Sequence, residues 1–193
     1  EVKAESDICC TSSNAVKIVE SIAPEKKIIF VPDRNLGKYV QQQTGRDLVL
    51  WEGYCPVHHV FVSRDDVRKR REEYPAAEVL VHPECPPEIT AEADFTGSTA
   101  QILKYCREAS AGDGGTKKFI IGTEKGILYP LRQQNPGAEF IPASEKMICR
   151  NMKKITPEKV LASLEERREE IVIPEDMRKR AVDPIQKMIE RSS

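Results

Sequence analysis

One stretch of this chain is written twice. Ala4-Glu5-Ser6-Asp7 is answered by Ala91-Glu92-Ala93-Asp94, and each is followed by Ser and Thr residues that open a helix. Lys27-Ile28-Ile29-Phe30 is answered by Lys118-Phe119-Ile120-Ile121. An acid and a glycine follow in both copies: Asp33 and Gly37 in the first, Glu124 and, across a shorter loop, Gly126 in the second. Each copy then runs on to a cysteine, Cys55 or Cys149. Apolar runs alternating with helical segments predict βαβ units and a mostly parallel sheet. The expected fold is therefore α/β, with repeated three-layer α/β/α domains and short strands, related by pseudosymmetry around a central site. Residues 1–55 are expected to form part of one repeat domain, 56–149 the second, and 150–193 helices that pack back on both. Equivalent loops of a duplicated fold surround its axis, so Cys55 and Cys149 are expected to converge there.

Taken in order, Ala15, Val16, Ile18, Val19 and Ile22 recur at helical spacing after the turn Cys10 to Asn14, where Ser or Thr is a capping signature. Pro24 closes that helix. Lys27 to Val31 reads as a buried strand, Pro32 to Gly37 as a loop, Gly37 to Thr44 as a helix and Asp47 to Trp51 as a strand. A charged helix from Arg64 to Tyr74 reads as a solvated face rather than a binding patch. Strands are expected at Glu78 to Val81, Lys118 to Ile121 and around Phe140, and helices at Ala100 to Ala109 and near Ile127 to Gln134. A Gly-rich loop at Gly112 to Gly115 precedes the strand at Lys118, and helices at Thr156 to Glu170 and Asp176 to Ile189 end the chain.

Composition narrows the function. The 193 residues carry 30 basic and 31 acidic side chains, a net charge of -1, so no global field draws in nucleic acid or an anionic membrane. No apolar run approaches the roughly 20 residues needed to cross a bilayer. Six cysteines, too sparse for a disulfide scaffold, point to a reducing compartment, and the expectation is a soluble, cytoplasmic protein. The chain opens on Glu1 rather than methionine and runs almost at once into a structured pattern. An upstream segment carrying part of the site is expected.

The chemistry-bearing residues gather at strand ends. Gly53-Tyr54-Cys55-Pro56-Val57-His58-His59 puts a thiol and two imidazoles within five positions, just after the apolar run Leu48 to Trp51. Open α/β folds bind ligands at that edge. His82-Pro83-Glu84-Cys85 sits at the end of the next strand, so two such loops hold all three histidines of the chain. His82 and Glu84, two apart, can face the same way as a general acid–base pair; a hydrogen-bonded surface histidine beside a Pro-rich turn is the plainer reading. His59 is the more expendable of its pair. Cys55 and Cys149 lack any zinc-knuckle spacing and read either as buried small hydrophobes or as two ligands of an incomplete metal centre. The repeat favours ligands. A third thiolate from upstream would complete an iron–sulfur cluster with an open iron, a Lewis acid for a substrate hydroxyl or carboxylate. Cys9, Cys10, Cys85 and Cys106 read as buried or incidental, although Cys85 is close enough to the site to be a rival ligand. Ser12, Ser98 and Thr99 fit helix N-caps and oxyanion binders equally well. Arg34 fits an anion site or, more commonly for a loop arginine, a structural ion pair.

These motifs resemble the quinolinate synthase family. The residues that carry the resemblance are Cys10-Thr11-Ser12-Ser13-Asn14-Ala15-Val16, Pro32-Asp33-Arg34-Asn35-Leu36-Gly37 and Cys55-Pro56-Val57-His58. They continue in His82-Pro83-Glu84-Cys85-Pro86, Gly97-Ser98-Thr99, Ile121-Gly122-Thr123-Glu124 and Cys149-Arg150-Asn151-Met152-Lys153-Lys154. The ordered set spans nearly the whole chain. The resemblance implies three pseudosymmetric α/β/α domains around one site, each giving a cysteine to a 4Fe-4S cluster. It implies condensation of iminoaspartate with dihydroxyacetone phosphate to quinolinate, with loss of phosphate and water, in NAD biosynthesis beside L-aspartate oxidase. Cys55 and Cys149 become two of the cluster ligands, and His58, His82 and Glu84 the catalytic residues. Ser12, Ser98 and Thr99, with His82 and Glu84, become substrate contacts. The chain departs from the family by lacking the first domain's cysteine, histidine and tyrosines, so these residues alone are expected to be inactive. A non-catalytic iron–sulfur or small-acid-binding α/β module is the alternative, and a structural or regulatory fragment a third.

Overall fold

The computed structural model describes residues 1–111, 116–168 and 170–192. The Gly-rich loop expected at Gly112 to Gly115 lies outside the described residues. Two compact units are present, one formed by residues 12–148 and the other by residues 1–11 with 149–193.

The larger unit alternates helices and short strands. It begins with α1 (Ala15–Glu20), β1 (Ile28–Phe30), α2 (Arg34–Thr44), β2 (Leu48–Leu50) and the single turn α3 (Pro56–His59). It continues with α4 (Arg64–Glu73), β3 (Glu78–Val81), the short α5 (Pro87–Thr90) and β4 (Phe95–Thr96). The last elements are α6 (Thr99–Ser110), β5 (Lys118–Gly122), α7 (Leu128–Gln134) and β6 (Glu139–Pro142). β1 and β2 pair with each other, and the other four strands form a sheet in the order β4-β3-β5-β6. Every pairing among the described strands is parallel. The α/β/α reading of the repeat is therefore the architecture found.

Parallel strands covered by helices on both faces are apolar along their whole length. β3 and β5 obey this, with Val79, Leu80, Val81, Phe119, Ile120 and Ile121 all buried. Leu80, Phe119 and Ile121 share one side, packed with Ile102 and Cys106 of α6 and with Leu128 and Leu131 of α7. Phe119 and Phe140 stack across neighbouring strands at 5.5 Å. Each large side chain so buried contributes roughly 1.5–3 kcal/mol relative to exposure.

Three departures from the sequence expectation have local causes. α2 starts at Arg34 rather than Gly37, because the Asp33 carboxylate accepts hydrogen bonds from the Asn35 and Leu36 amides, both at 2.9 Å, and caps the helix early. The cap of α1 falls on Asn14, with no side-chain cap bond, rather than on Ser or Thr. β4, two residues long, was hidden in what reads as a loop before α6.

In the smaller unit, α8 (Pro157–Glu166) and α9 (Glu175–Ser192) follow one another. Val2–Glu5 forms a 3-10 turn. Glu5 pairs with Arg180, and the Cys9 amide donates to the Pro184 carbonyl at 3.0 Å. Among the described residues no helix is long and apolar enough to cross a membrane.

Candidate active site

The site hangs from the ends of β1, β2, β3 and β5, all within the larger unit. The turn after β1 is its frame. Asp33, buried, caps α2 with one carboxylate oxygen and receives the Cys55 amide on the other at 2.8 Å. Burial pushes the Asp33 pKa up against the three amides that hold its charge. Asn35, 1% exposed, donates from Nδ2 to the Glu84 carbonyl at 2.9 Å and sits 3.0 Å from His59 Nδ1. One turn thus ties together the loops after β2 and β3. Gly53 is needed here, since a Cβ would lie 2.5 Å from the Pro32 carbonyl oxygen.

Gly122 does the same at the end of β5. A Cβ there would meet Val81 Cγ1 at 2.7 Å, and its carbonyl accepts from the His82 amide at 3.1 Å and the Cys85 thiol at 3.5 Å. The strands therefore run close together where the His82 loop leaves the sheet.

Into this frame His58, Glu84 and His82 converge. His58 Nδ1 lies 2.9 Å from a Glu84 carboxylate oxygen, and its Nε2 lies 2.9 Å from the Thr123 hydroxyl. The His58 and His82 rings stack at 4.4 Å, 12° from parallel. The Glu84 amide donates to His82 Nδ1 at 3.2 Å, which leaves the proton of a neutral ring on Nε2. Cys55, His58 and Glu84 each offer a ligand atom, all within 4.8 Å of one another.

Electrostatics separate the two stacked rings. Burial opposes charge on His58, but hydrogen bonds to Cys55 and Glu84 outweigh it and raise its pKa to about 9. Burial, helped by the charge of His58, pushes His82 down to about 4. Burial raises the Glu84 carboxyl, yet its hydrogen bond to His58 and the two histidines leave it lowered overall. At neutral pH the cluster is an imidazolium, a carboxylate and a neutral imidazole. Groups whose environments drive their pKa values apart are the usual sign of an acid–base division of labour.

The other candidates sort by burial. Cys55 is half-buried at the loop, whereas Cys85 is 1% exposed, as the sequence reading favoured, and burial pushes its thiol far up. Cys106 lies in the apolar core. Cys149, also half-buried, belongs to the smaller unit. Ser98 is buried and caps α6 in a reciprocal bond pair with Gln101, while Thr99, the first helical residue, is exposed. Ser12 is half-buried in the turn before α1. Arg34 spans Glu52 at 3.1 Å and His59 Nε2 at 2.9 Å and lies over the Tyr54 ring, a structural set of partners. Burial and Arg34 push the His59 pKa down.

Sequence reading passed over Asp33, Asn35 and Thr123 as site residues. An aspartate directly before an amphipathic helix is a readable cap signal. Asn35 and Thr123 lie within the motifs that carry the family resemblance, but their contacts, 49 and 65 positions away, are not readable from local pattern.

A family model described as Quinolinate synthetase A protein matches residues 1–190. A quinolinate synthase of Dehalococcoides mccartyi is 47% identical over 189 residues, covering 98% of this chain and 60% of that protein. Quinolinate synthases of Alkaliphilus metalliredigens and Synechocystis sp. are each 45% identical, over 191 and 197 residues, covering 98% and 100% of this chain. The chain spans about 60% of the length of these relatives.

Proposed function

The chain belongs to the quinolinate synthase family, and we propose that it carries the acid–base face and two cluster ligands of such a synthase. The reaction is condensation of iminoaspartate with dihydroxyacetone phosphate to quinolinate, with loss of one phosphate and two waters, in NAD biosynthesis. L-aspartate oxidase is the functional partner that supplies the imine. The observation that carries this reading is the convergence of Cys55, His58 and Glu84 beside a neutral His82.

Cys55 suits an iron–sulfur cluster in kind: it is a soft donor, half-buried, with its backbone held by Asp33. Cys149, the other half-buried thiol after a strand of the repeat, is the second ligand. A 4Fe-4S cluster with an open iron supplies a Lewis acid for substrate oxygen. Three thiolates are needed and these residues bring two, so turnover requires a third from outside the 193 residues.

The chain's own groups do the proton work. His58, charged at neutral pH, has Nδ1 committed to Glu84 and Nε2 to Thr123, so it holds and orients the carboxylate. The ionised Glu84 is the base for protons lost during imine formation and isomerisation. Neutral His82, with its proton on Nε2, donates a hydrogen bond to a developing oxyanion or leaving hydroxyl. Ser98 accepts the Gln101 amide and keeps its own O–H for a substrate carboxylate or phosphate, with Thr99 and Ser12 in the same role.

Quinolinate formation, assayed anaerobically with the third thiolate supplied, tests this. Glu84→Gln and His82→Gln are each expected to lower kcat by about 10²-fold or more. Unchanged turnover in both, or turnover by residues 1–193 alone, refutes it.

A further inference from the structure

We propose that Cys55, His58 and Glu84 form a site for one zinc-type divalent cation, exclusive of the cluster because both use the Cys55 sulfur. It is built without Cys149 and without any residue outside the larger unit, so the site itself stands apart from the synthase reading, and only its exclusion of the cluster rests on that reading.

The donor set is the first support. A thiolate, an imidazole and a carboxylate are the three ligand types of zinc, and three protein ligands with an open fourth position are the usual form of a reactive zinc site. Thiolate and carboxylate together carry two negative charges, which balance a divalent ion when the ring is neutral. Metal–ligand distances of roughly 2.0–2.3 Å place tetrahedral ligand atoms roughly 3.3–3.7 Å apart. Here the three atoms lie within 4.8 Å of one another, with His58 Nδ1 and Glu84 at 2.9 Å. Side-chain shifts of about an ångström or less reach that geometry, and the cation takes the place of the proton His58 and Glu84 share.

The second support is that each ligand is already held from behind. Metal-binding histidines fix the ring by hydrogen-bonding the distal nitrogen, and His58 Nε2 meets the Thr123 hydroxyl at 2.9 Å in a buried contact. Asp33 holds the Cys55 amide at 2.8 Å, and Asn35 holds the Glu84 carbonyl at 2.9 Å. Cys55 and Glu84 are half-buried and His58 is buried, so an ion can enter yet is largely withdrawn from water. An ordinary His–Glu ion pair requires neither the adjacent thiol nor this backing.

The test is anaerobic titration of the metal-free, reduced 193-residue chain with cobalt(II), followed by its thiolate charge-transfer absorption and competed with zinc(II). One cobalt per chain is expected. Cys55→Ser abolishes the charge-transfer band, His58→Gln and Glu84→Gln each weaken binding at least tenfold, and Thr123→Val weakens it about tenfold. Cys149→Ser leaves the titration unchanged. In protein supplied with the third thiolate, zinc added before iron and sulfide suppresses cluster uptake. Circular dichroism confirms that each variant is folded, and Thr123→Val carries the test should a ligand variant unfold. Retention of full affinity in both His58→Gln and Glu84→Gln, or its loss in Cys149→Ser, overturns the proposal. A cobalt site that persists when no cluster can be assembled would separate this inference from the synthase reading.

Discussion

The two copies of the repeat use the same strand differently. Ile29 in the middle of β1 is 74% exposed, while its counterpart Ile120 in β5 is 0% exposed. Among the described residues β5 has a strand on each side, β3 and β6, whereas β1 has β2 alone. β2 shares the exposure, with Val49 60% and the following Trp51 62% exposed. An apolar run therefore specifies that a segment pairs as a strand, but its burial depends on how many strands and helices surround it. The turns after the two strands differ in the same sense. Glu124 caps its own 3-10 turn through the Gly126 amide in an exposed contact, while Asp33, buried, caps α2 and also holds Cys55. β5 lies at the centre of the core; the turn after β1 is where the loops after β2 and β3 are tied.

The contrast is sharpest in stability. Phe119→Ala, at the centre of the wide sheet, is expected to cost about 3–5 kcal/mol in denaturant unfolding. A cost below about 1 kcal/mol would mean that this sheet is not the core. Asp33→Ala comes next: loss of the helix cap and an unpaired Cys55 amide together cost about 2–3 kcal/mol. Glu124→Ala, whose bond to the Gly126 amide is exposed, should cost less; equal costs would erase the distinction between the two turns.

The stacked histidines give a pH dependence with two limbs. With its folded pKa raised from 6.5 to about 9, His58 contributes stability that is fully present below pH 6.5 and is lost as pH rises through 9. With its folded pKa lowered from 6.5 to about 4, His82 contributes stability present above pH 6.5 and lost as pH falls through 4. Metal-free protein is therefore most stable near pH 6.5 as far as this pair is concerned. His58→Gln flattens the alkaline limb and His82→Gln the acid limb, each by on the order of 1–2 kcal/mol. A curve unchanged in either variant would remove the charge assignment. The smallest effect is expected at the exposed face, where Ile29→Thr changes stability by about 0.5 kcal/mol or less. A cost above about 2 kcal/mol would show that β1 is covered in solution as β5 is.

What was legible in the sequence follows the same physics. β1, β3, β5 and β6 are built on short apolar runs, three of them opening on a charged residue, and they lie within a residue or two of where the pattern puts them. β4, α3 and α5 are two to four residues long, too short to show any period, and none was expected. In the site, His58, His82 and Glu84 could be named because histidines are few and strand ends are where α/β folds place chemistry. Cys85, read as buried or incidental from the sequence, is buried with its thiol on the Gly122 carbonyl. Ser98, equally a cap or an anion donor on paper, is a cap here, with its hydroxyl proton still available. The contacts of Asn35 and Thr123 join loops that only the folded sheet brings together.

The most direct test of the central proposal, that Cys55 and Cys149 are both ligands of one iron–sulfur cluster, is anaerobic iron and sulfide analysis with an absorption spectrum. It is made on the protein supplied with its third thiolate and on Cys55→Ser and Cys149→Ser variants. About four irons per chain, lost in either variant, is the predicted result. Protein that stays metal-free, or binds iron equally well in both variants, would contradict it.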